Sequence, residues 1–564
     1  MSHSALERFG LRPKILTTLR DGYRAADFRD DAVAGLTVAI VALPLAMALG
    51  VASGATPDKG IVTAIVAGFC ISLFGGSRVQ IGGPTGAFVV VVSNVIATHG
   101  YDGMVLATLL AGLMLVAAGA ANLGQVIRLI PHPVVTGFTA GIAVIIAASQ
   151  IKEFLGLRIA EVPADFVPKL VVLAGVADSI DAATAVLGLG CLALILILRR
   201  LAPRLPGYLI AVVAAVAAVK IFGLDVDTVG ARFPEMPTGL PMPSWPEFNL
   251  TMVRDVLPSA FTIAFLAGIE ALLSAVVADG LTGYRHRSNQ ELFGQGLANV
   301  ASAYFAGLPA TGAIARTATN IKAGGRTPIA GVMHAVFLLV FIIFGSELMK
   351  LVPLAALAAI LFVVAWGMSE CERFIHLLRI PSDDRGVLLL TFGLTVLVDL
   401  TVAIAVGVIL AALIFMGRMT RSLNIGRGAA AEEDADSDEG ENQRGSLPPG
   451  VEVFRLSGPV FFGVARELLD TLKRMGQPPK VLILRMRLVP YLDTTGASAL
   501  RDLVDDSRAI GVNVIFSGVP AQPMSLLGSL GLGSGSSLVT HAPGYSAALE
   551  AARKIVFVEA DRRP

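Results

Sequence analysis

Long apolar stretches dominate most of the chain. Between residues 32 and 417, about 14 apolar segments follow one another, separated by short polar or charged turns. Most have the roughly 20 residues that an α-helix needs to cross the apolar part of a bilayer. They begin near residues 32, 60, 84, 104, 131, 183, 205, 257, 291, 311, 327, 351, 383 and 401. The pattern predicts a polytopic α-helical membrane domain over residues 32–420.

Four of these segments differ from a simple span. Those that begin near residues 84 and 311 are too short for a full membrane helix. The last two run together over residues 387–417, with Asp399 near the turn. We interpret this last pair as a tight hairpin of two short spans.

The two short segments carry nearly the same sequence. Residues 82–88 read GGPTGAF and residues 307–313 read GLPATGA, each in an apolar setting. A Pro-Gly break at membrane depth exposes backbone that lipid cannot satisfy, so it is tolerated only where it is buried or lines a cavity. One such break in each half indicates the substrate site of a transporter built from inverted repeats. Helices that begin there would direct their N–H groups into the cavity and form an anion site.

Composition agrees with a membrane protein that carries a soluble part. The 564 residues are 54% hydrophobic and only 15% charged, whereas soluble globular proteins are about 25% charged. The formal net charge of +1 gives no indication of nucleic-acid binding. Because the first 30 residues hold no apolar region ahead of a cleavage site, we expect the first membrane helix to act as its own signal.

Basic residues are distributed unevenly between the two sets of loops. If the N-terminus is cytoplasmic, the cytoplasmic loops carry Arg78, Arg128, Arg199, Arg200, Arg204, Arg285, Arg287, Lys322, Arg326, Arg373, Arg379 and Arg385. The opposite loops carry fewer, namely Lys59, Lys152, Arg158, Lys169, Arg232, Arg254 and Lys350. This positive-inside bias predicts cytoplasmic N- and C-termini in an inner-membrane protein.

The pattern changes after residue 420. Acidic and polar residues fill positions 421–450, which we predict to be a solvated linker. Beyond it, apolar alternation predicts strands at 451–456, 480–488 and 512–516, with helices at 465–475 and 495–510. Strands that alternate with helices imply a partly parallel sheet, so residues 451–564 are predicted to form one small α/β domain.

Several motifs occur together in a specific order. In the membrane domain they are residues 35–44 (GLTVAIVALP), 82–86 (GGPTG), 279–283 (DGLTG), 289–292 (NQEL), 294–299 (GQGLAN), 315–320 (ARTATN) and 323–327 (AGGRT). The C-terminal domain adds residues 456–462 (LSGPVFF) and 492–496 (LDTTG). With these motifs the chain resembles the SulP anion transporters, the sulfate permease family, which carry a C-terminal STAS domain.

The resemblance implies an inverted repeat of seven plus seven helices, over about residues 32–223 and 255–420. In this family a core domain, made of helices 1–4 and 8–11, carries the site. The core moves against a gate domain, made of helices 5–7 and 12–14, in an elevator-like stroke, usually within a homodimer. The implied function is secondary active anion transport and not an enzymatic reaction, and no cofactor is expected. Fold alone does not fix the substrate.

A carboxylate in the predicted eighth helix is the candidate for ion coupling. Glu270 lies in the apolar run 265–274, where a charged group is costly and is a functional hypothesis by default. Apolar surroundings favour its neutral form, which would let it exchange a proton near neutral pH. In sodium-coupled bicarbonate members of the family, the position that matches Glu270 looks like Asp, with a Thr one turn later. Here Glu270 and Ser274 occupy those positions, which favours a proton over sodium.

The remaining candidates surround the two breaks. Arg316, in the predicted tenth helix, would add positive charge beside the anion; the alternative is an arginine that serves topology. The two helix N-termini and the neighbouring first helix would complete the site with Thr85, Gly86, Ala87, Thr311, Gly312, Ala313 and Pro44. The alternative for the glycines is close packing of helices.

We therefore expect proton-coupled symport of an oxyanion or small carboxylate: sulfate, a C4-dicarboxylate or bicarbonate. One alternative is a sodium-dependent bicarbonate symporter. Another is a membrane sensor that signals through its STAS domain. An uncoupled anion channel is disfavoured, because a channel has no need of a titrating carboxylate such as Glu270.

The STAS domain adds two expectations of its own. Thr495 matches a position that is phosphorylated in soluble STAS proteins opposing anti-sigma factors. We favour instead a capping role for this residue at the start of the next helix. A cytoplasmic protein partner of the domain is the second expectation.

Overall fold

The computed structural model describes residues 11–125, 131–159, 162–163, 165–203, 205–234, 239–245, 250–380, 383–398, 400–421, 424–427, 447–460 and 478–560. The chain divides into two compact units, Met1–Ala411 and Ala412–Pro564. Most of the predicted linker, the predicted helix at 465–475 and residues Arg128, Arg204 and Asp399 lie outside the described residues.

Most helices follow the predicted apolar segments. The helices are α1 (Lys14–Arg20), α2 (Ala25–Ala52), α3 (Pro57–Phe74), α4 (Val89–Ala120), α5 (His132–Leu155), α6 (Phe166–Gly175), α7 (Ala182–Leu201), α8 (Gly207–Phe222), α9 (Val229–Arg232), α10 (Leu250–Thr282), α11 (Ser288–Tyr304), α12 (Ile314–Lys322), α13 (Pro328–Met349), α14 (Leu354–Met368), α15 (Cys371–Arg379), α16 (Asp384–Leu397) and α17 (Leu400–Arg421). Of these, α1, α6, α9 and α15 were not predicted. Within the described residues, 8 helices are long and apolar enough to cross a membrane, and three shorter apolar helices accompany them. The helical membrane fold is confirmed, while the count of 14 spans stays a prediction.

A single glycine separates two of the predicted segments. Gly100 has φ 71° and ψ −177° inside the otherwise helical α4, in a region that glycine adopts without steric cost. The residues before it belong to the short segment that begins near residue 84. Those after it form the segment predicted from residue 104, so the kink lies between two segments that the sequence analysis separated.

Small residues allow helices of the first unit to pack closely inside it, and many large apolar residues are exposed on its outside. Residues exposed on the outside include Val186, Leu189, Phe222, Phe344 and Trp366. Inside, α4 and α11 approach so closely that a Cβ atom on Gly112 would lie 2.8 Å from the carbonyl oxygen of Gly296. Close backbone approach through small residues is typical of helix packing in membranes, and an exposed apolar surface suits contact with lipid.

The second unit contains a five-stranded sheet. Its strands are β3 (Asn424–Arg427), β4 (Val451–Ser457), β5 (Val481–Leu488), β6 (Asn513–Ser517) and β7 (Thr540–Ala542), paired in this order. The β3–β4 pair is antiparallel and the other pairs are parallel. Alternate side chains enter two apolar layers on opposite faces, as with Leu482 and Ile483 of β5. One layer includes α18 (Thr494–Ala509) and α19 (Ala521–Ser529), and the other includes α20 (Tyr545–Ala560). The predicted parallel sheet is confirmed.

The start of α18 corrects one expectation. Asp493, and not Thr495, caps this helix, because its carboxylate accepts a hydrogen bond from the backbone N–H of Gly496 at 2.6 Å. An aspartate is among the favoured N-cap residues. Thr495 lies one residue inside the helix and is exposed, so its assignment as a phosphorylation site stays a prediction.

A buried carboxylate of α11 holds the end of α3 in place. Glu291 is fully buried, and its Oε2 atom accepts hydrogen bonds from the backbone N–H groups of Gly76 and Ser77 at 2.8 and 3.0 Å. Its other oxygen accepts a bond from the side-chain amide of Gln295 at 2.8 Å. The N–H groups beyond the end of α3 thus find an acceptor without water.

We expect Glu291→Ala to destabilise the first unit by about 3 kcal/mol or more, because two buried N–H groups lose their acceptor. Thermal unfolding of the purified protein in detergent measures the effect. Glu347→Ala serves as control, since Glu347 is an exposed glutamate paired only with Lys350. Equal unfolding temperatures for the two variants would contradict this role of Glu291.

Candidate functional site

The two sequence breaks meet in the centre of the first unit. Gly82–Gly83 forms strand β1 and Thr311–Gly312 forms strand β2, and the two pair antiparallel with Gly82 opposite Gly312. Next to this pair, the N–H of Ala313 donates to the carbonyl oxygen of Ile81 at 2.9 Å. Each break therefore satisfies part of the exposed backbone of the other, which lipid could not do.

Polar side chains satisfy further groups of this backbone. Asn299 of α11 binds both backbone groups of Ala310. The Asn299 side-chain amide donates to the Ala310 carbonyl oxygen, and the Asn299 side-chain oxygen accepts from the Ala310 N–H, each at 2.9 Å. The hydroxyl of Thr63 accepts from the N–H of Leu308 at 2.7 Å. Ser302 donates to the carbonyl oxygen of Leu308 at 2.6 Å.

Residues of α12 do the same for the first break. The Thr317 hydroxyl accepts from the N–H of Ile81 at 3.1 Å, and the Asn320 amide group donates to the carbonyl oxygen of Val79 at 2.8 Å. These side chains come from the second half of the chain and bind backbone of the first half. The two halves are therefore joined at the breaks by polar contacts as well as by apolar packing.

A cavity of about 460 Å³ lies where the short helical segments begin. Six of the residues predicted for the site belong to its lining, namely Thr85, Gly86, Glu270, Gly312, Ala313 and Arg316. A 3-10 turn at Gly86–Phe88 leads directly into α4, and Ala313 is the N-cap residue of α12. The first amide groups of each helical segment lack an acceptor within the helix, as at any helix N-terminus.

Glu270 of α10 is the carboxylate of this cavity. It is partly exposed to the cavity, and its Oε2 atom accepts a hydrogen bond from the Thr85 hydroxyl at 2.8 Å. Thr85 directly precedes the 3-10 turn, so the acid is held at the start of that helical segment. Among the residues that the structure describes, no lysine, arginine or histidine forms an ion pair with Glu270.

Arg316 of α12 is the cation of the cavity. Its side chain is buried, at 3% exposure, and Nη2 donates to the carbonyl oxygen of Pro84 at 2.9 Å. The Nε and Nη1 atoms have no hydrogen-bond partner, and no carboxylate among the described residues forms an ion pair with this arginine. A buried guanidinium with unused donors is costly unless an anion binds to it.

Four predicted residues do not line the cavity. Ala87 and Thr311 are buried beside it, and the Thr311 hydroxyl donates to the carbonyl oxygen of Ala267 at 2.8 Å. Ser274 is buried and lies 3.3 Å from the Thr317 hydroxyl. Pro44 faces a different, apolar cavity between α2, α8 and α13, because its neighbours Val41 and Leu45 occupy the face of α2 that lines the site.

The sequence reasoning missed several lining residues. Ile314 and Ala315 form the first turn of α12, because this helix starts one residue after the predicted N-terminal triplet. Helix boundaries of this kind shift by one or two residues, so sequence alone does not fix which amides face the cavity. From more distant parts of the chain come Arg199, Tyr208, Met368 and Glu370. No local sequence signal places these four residues near the breaks.

Gly312 has no space for a side chain. A Cβ atom on it would lie 1.4 Å from Nε2 of Gln80, whose amide group donates to the carbonyl oxygen of Ala271 at 3.1 Å. We expect Gly312→Ala to lower the thermal unfolding temperature by several degrees, since overpacking costs about 1–3 kcal/mol.

Gly393→Ala is the matched control for that measurement. Gly393 lies inside α16, and a Cβ atom on it would contact nothing within 4 Å. Alanine is favoured over glycine in a helix, so the control should be at least as stable as the wild type. A Gly312→Ala protein that is as stable as this control would refute the tight contact with Gln80.

Three comparisons place the chain among known proteins. Residues 28–391 match the sulfate permease family, and residues 447–538 match the STAS domain. YvdB of Bacillus subtilis, whose name assigns it provisionally to sulfate transport, is 40% identical over 516 residues, which cover 91% of this chain and 95% of that protein. The transmembrane domain of BicA, a cyanobacterial bicarbonate transporter, is 31% identical with a TM-score of 0.60, and the match covers 70% of this chain and 99% of that domain. Murine Slc26a9, described as an anion transporter, matches 98% of this chain and 95% of its own with a TM-score of 0.87; at 18% identity this likeness shows the fold alone.

Proposed function

Because the chain belongs to the sulfate permease family, we propose that it is a secondary active transporter that carries an oxyanion or small carboxylate together with a proton. One observation carries the proposal: a single cavity contains the carboxylate of Glu270, the unpaired donors of Arg316 and two helix N-termini. The names of two similar proteins, which refer to sulfate and bicarbonate, support an anion as substrate.

In this proposal the anion binds between the two helix N-termini and Arg316. The guanidinium suits oxygen ligands because its N–H groups match the spacing of two oxygens on one carboxylate or oxyanion. Nη2 is already bound to Pro84, which leaves Nε and Nη1 for the substrate. The small residues Gly86, Gly312 and Ala313 let oxygen atoms approach the backbone amides.

A count of charges links the substrate to the coupling ion. Each helix N-terminus acts as about +0.5 elementary charge, so the two N-termini and Arg316 together contribute about two positive charges. The other two charged lining residues, Arg199 and Glu370, have opposite signs and add nothing to this sum. A dianion such as sulfate or a C4-dicarboxylate is then balanced only when Glu270 is protonated. A monoanion such as bicarbonate is balanced when Glu270 is ionised. Proton symport therefore follows if the substrate is a dianion, and this is the alternative we favour.

The transport cycle is proposed by analogy with the family. The cavity lining includes Arg199 and Glu370, and Arg199 belongs to the loops predicted to be cytoplasmic, which supports a cavity that opens to the cytoplasm. We propose an elevator-like movement of the core against the gate, within a homodimer of the inner membrane whose termini are both cytoplasmic. A cytoplasmic partner of the STAS domain belongs to the same proposal.

The decisive test is uptake by proteoliposomes under an inward proton gradient. We expect labelled sulfate, fumarate or succinate to enter the wild-type vesicles independently of sodium. Glu270→Gln should lose the dependence on the proton gradient, with uptake at least about tenfold lower, because amide and carboxyl are similar in shape but only the carboxyl releases a proton. The control is Glu347→Gln, which changes an exposed glutamate outside the cavity.

Other outcomes of this experiment would replace the proposal. Sodium-dependent bicarbonate uptake would support the sodium-coupled alternative. Proton-driven uptake that survives in Glu270→Gln would exclude this residue as the proton carrier. No uptake of any of these anions by a stable protein would contradict transport itself and favour a sensor.

Arg316 should determine affinity for the anion. We expect Arg316→Gln to raise the KM of the transported anion by about tenfold or more, since a hydrogen bond to a charged group contributes about 1.5–3 kcal/mol. Arg316→Lys should rescue little, because an ammonium group cannot reproduce the two-donor geometry. The control is Arg385→Gln, at an exposed arginine that is not part of the cavity lining. A KM that both Arg316 variants leave unchanged would exclude contact between Arg316 and the substrate.

A further inference from the structure

A second polar cavity lies on the other side of the helical segment that begins at Gly86. It has a volume of about 290 Å³ and is lined from α2, α4, α5, α6, α10 and α16. Its polar lining residues are Ser93, Asn94, Ser149, Asp165, Lys169, Ser259 and Thr395. A concentration of hydroxyl and amide groups in an apolar helical unit indicates contact with a polar ligand or its water.

Lys169 of α6 is the only lysine or arginine in the lining described for this cavity. Its side chain is buried, at 8% exposure. Among the described residues it takes part in no ion pair and its ammonium group donates no hydrogen bond. Asp165, the N-cap residue of α6, also lines the cavity; it is exposed, and its negative charge acts on Lys169 without forming an ion pair. Burying a cation without a partner is costly, so an anion bound beside Lys169 and on the far side from Asp165 would lower that cost.

The two cavities are separated by very little protein. Ile146 of α5 lines the second cavity, and its Cδ1 atom lies 3.4 Å from the position that a Cβ atom on Gly86 would take. Met368 approaches the same point, with its sulfur 2.5 Å from that position. Gly86 lines the cavity of Glu270 and Arg316. The side chains of Ile146 and Met368 thus lie between the two cavities.

We propose that the Lys169 cavity is a second anion-binding site, at the outer end of the transport path, which takes the same class of oxyanion or small carboxylate. This inference rests on the proposed transport function, and on the basic-residue distribution that puts Lys169 on the side opposite the cytoplasm. Lys169 attracts the anion from outside, and the hydroxyl and amide groups around it replace part of the anion's water. The anion passes to Arg316 when the contact of Ile146 and Met368 with Gly86 opens.

Chemical labelling tests the site without any need for transport. The three cysteines, Cys70, Cys191 and Cys371, are free; they are replaced by alanine, and Asn94→Cys is added in the cavity. Membrane-impermeant methanethiosulfonate reagents, one carrying a sulfonate and one a trimethylammonium group, are then applied to intact cells. The quantity measured is the ratio of the sulfonate reagent's rate to the cationic reagent's rate. We expect this ratio to be higher for the introduced cysteine than for free cysteine in solution.

Substitutions of Lys169 identify the source of that preference. Lys169→Gln should reduce the ratio of the two rates by about tenfold, because clefts lined by one sign of charge concentrate the opposite one. Lys169→Arg should preserve it. Lys152→Gln is the matched control, since Lys152 lies in the last turn of α5 and is not part of the lining. An unchanged ratio in Lys169→Gln, or labelling only from the cytoplasmic side of inverted vesicles, would overturn the proposal.

Uptake then shows whether the site serves transport. In proteoliposomes that transport sulfate, fumarate or bicarbonate, Lys169→Gln should raise the KM for the anion on the outer side about fivefold to tenfold and leave the KM on the cytoplasmic side unchanged. An equal rise on both sides would indicate a general structural effect and contradict an outer site. If the wild type transports none of these anions, the proposed function fails, while the labelling result still decides whether the cavity attracts anions.

Discussion

The structure depends on how two breaks in the backbone are satisfied away from water. Each break leaves N–H and C=O groups that cost free energy in an apolar setting unless they find partners. The pairing of Gly82–Gly83 with Thr311–Gly312 satisfies some of them. Asn299, Thr317 and Asn320 satisfy others. This requirement gives a physical reason for the GQGLAN and ARTATN motifs: their last Asn, together with Thr317, holds the broken backbone in place.

The same requirement explains why the candidate site contains few charges. Backbone that is fixed by these contacts can direct helix N-termini into a cavity, and such ends attract anions without a charged side chain. Only Glu270 and Arg316 among the predicted site residues carry charge there. Because the two breaks pair with each other, and Thr317 and Asn320 of the second half bind backbone of the first break, neither half forms the site alone.

The sequence predicted the parts of the fold that rest on repeated local patterns. Apolar segments predicted helices, and the motifs predicted the sulfate permease family, which the comparisons confirm. Strands β4, β5 and β6 were predicted from alternation, but β3 and β7 were not, because a three- or four-residue edge strand carries almost no periodic signal. The two-residue pairing of β1 with β2 was also out of reach, since it is set by tertiary contacts alone.

For the site, local chemistry was predicted better than orientation. Glu270 and Arg316 were identified because charge at membrane depth is costly, and both line one cavity. Pro44 was predicted to lie beside the anion because it belongs to the first membrane helix. Only the face of α2 that carries Val41 and Leu45 lines that cavity. A helix that is apolar on all sides gives no indication of which face turns inward. Lys169 was assigned to a loop from the sequence, so its buried position in α6 was not predicted.

Two consecutive residues, Pro84 and Thr85, bind the guanidinium of Arg316 and the carboxylate of Glu270 separately. The Pro84 carbonyl accepts from Arg316, and the Thr85 hydroxyl donates to Glu270. Proline has no N–H group to satisfy and a fixed φ angle, so this residue can present its carbonyl at the break without leaving a second unpaired group. A direct ion pair between Glu270 and Arg316 would neutralise both and leave nothing for an anion or a proton. Neutral partners hold the two groups in one cavity without an ion pair between them, as the proposed binding of an anion and a proton in one site requires.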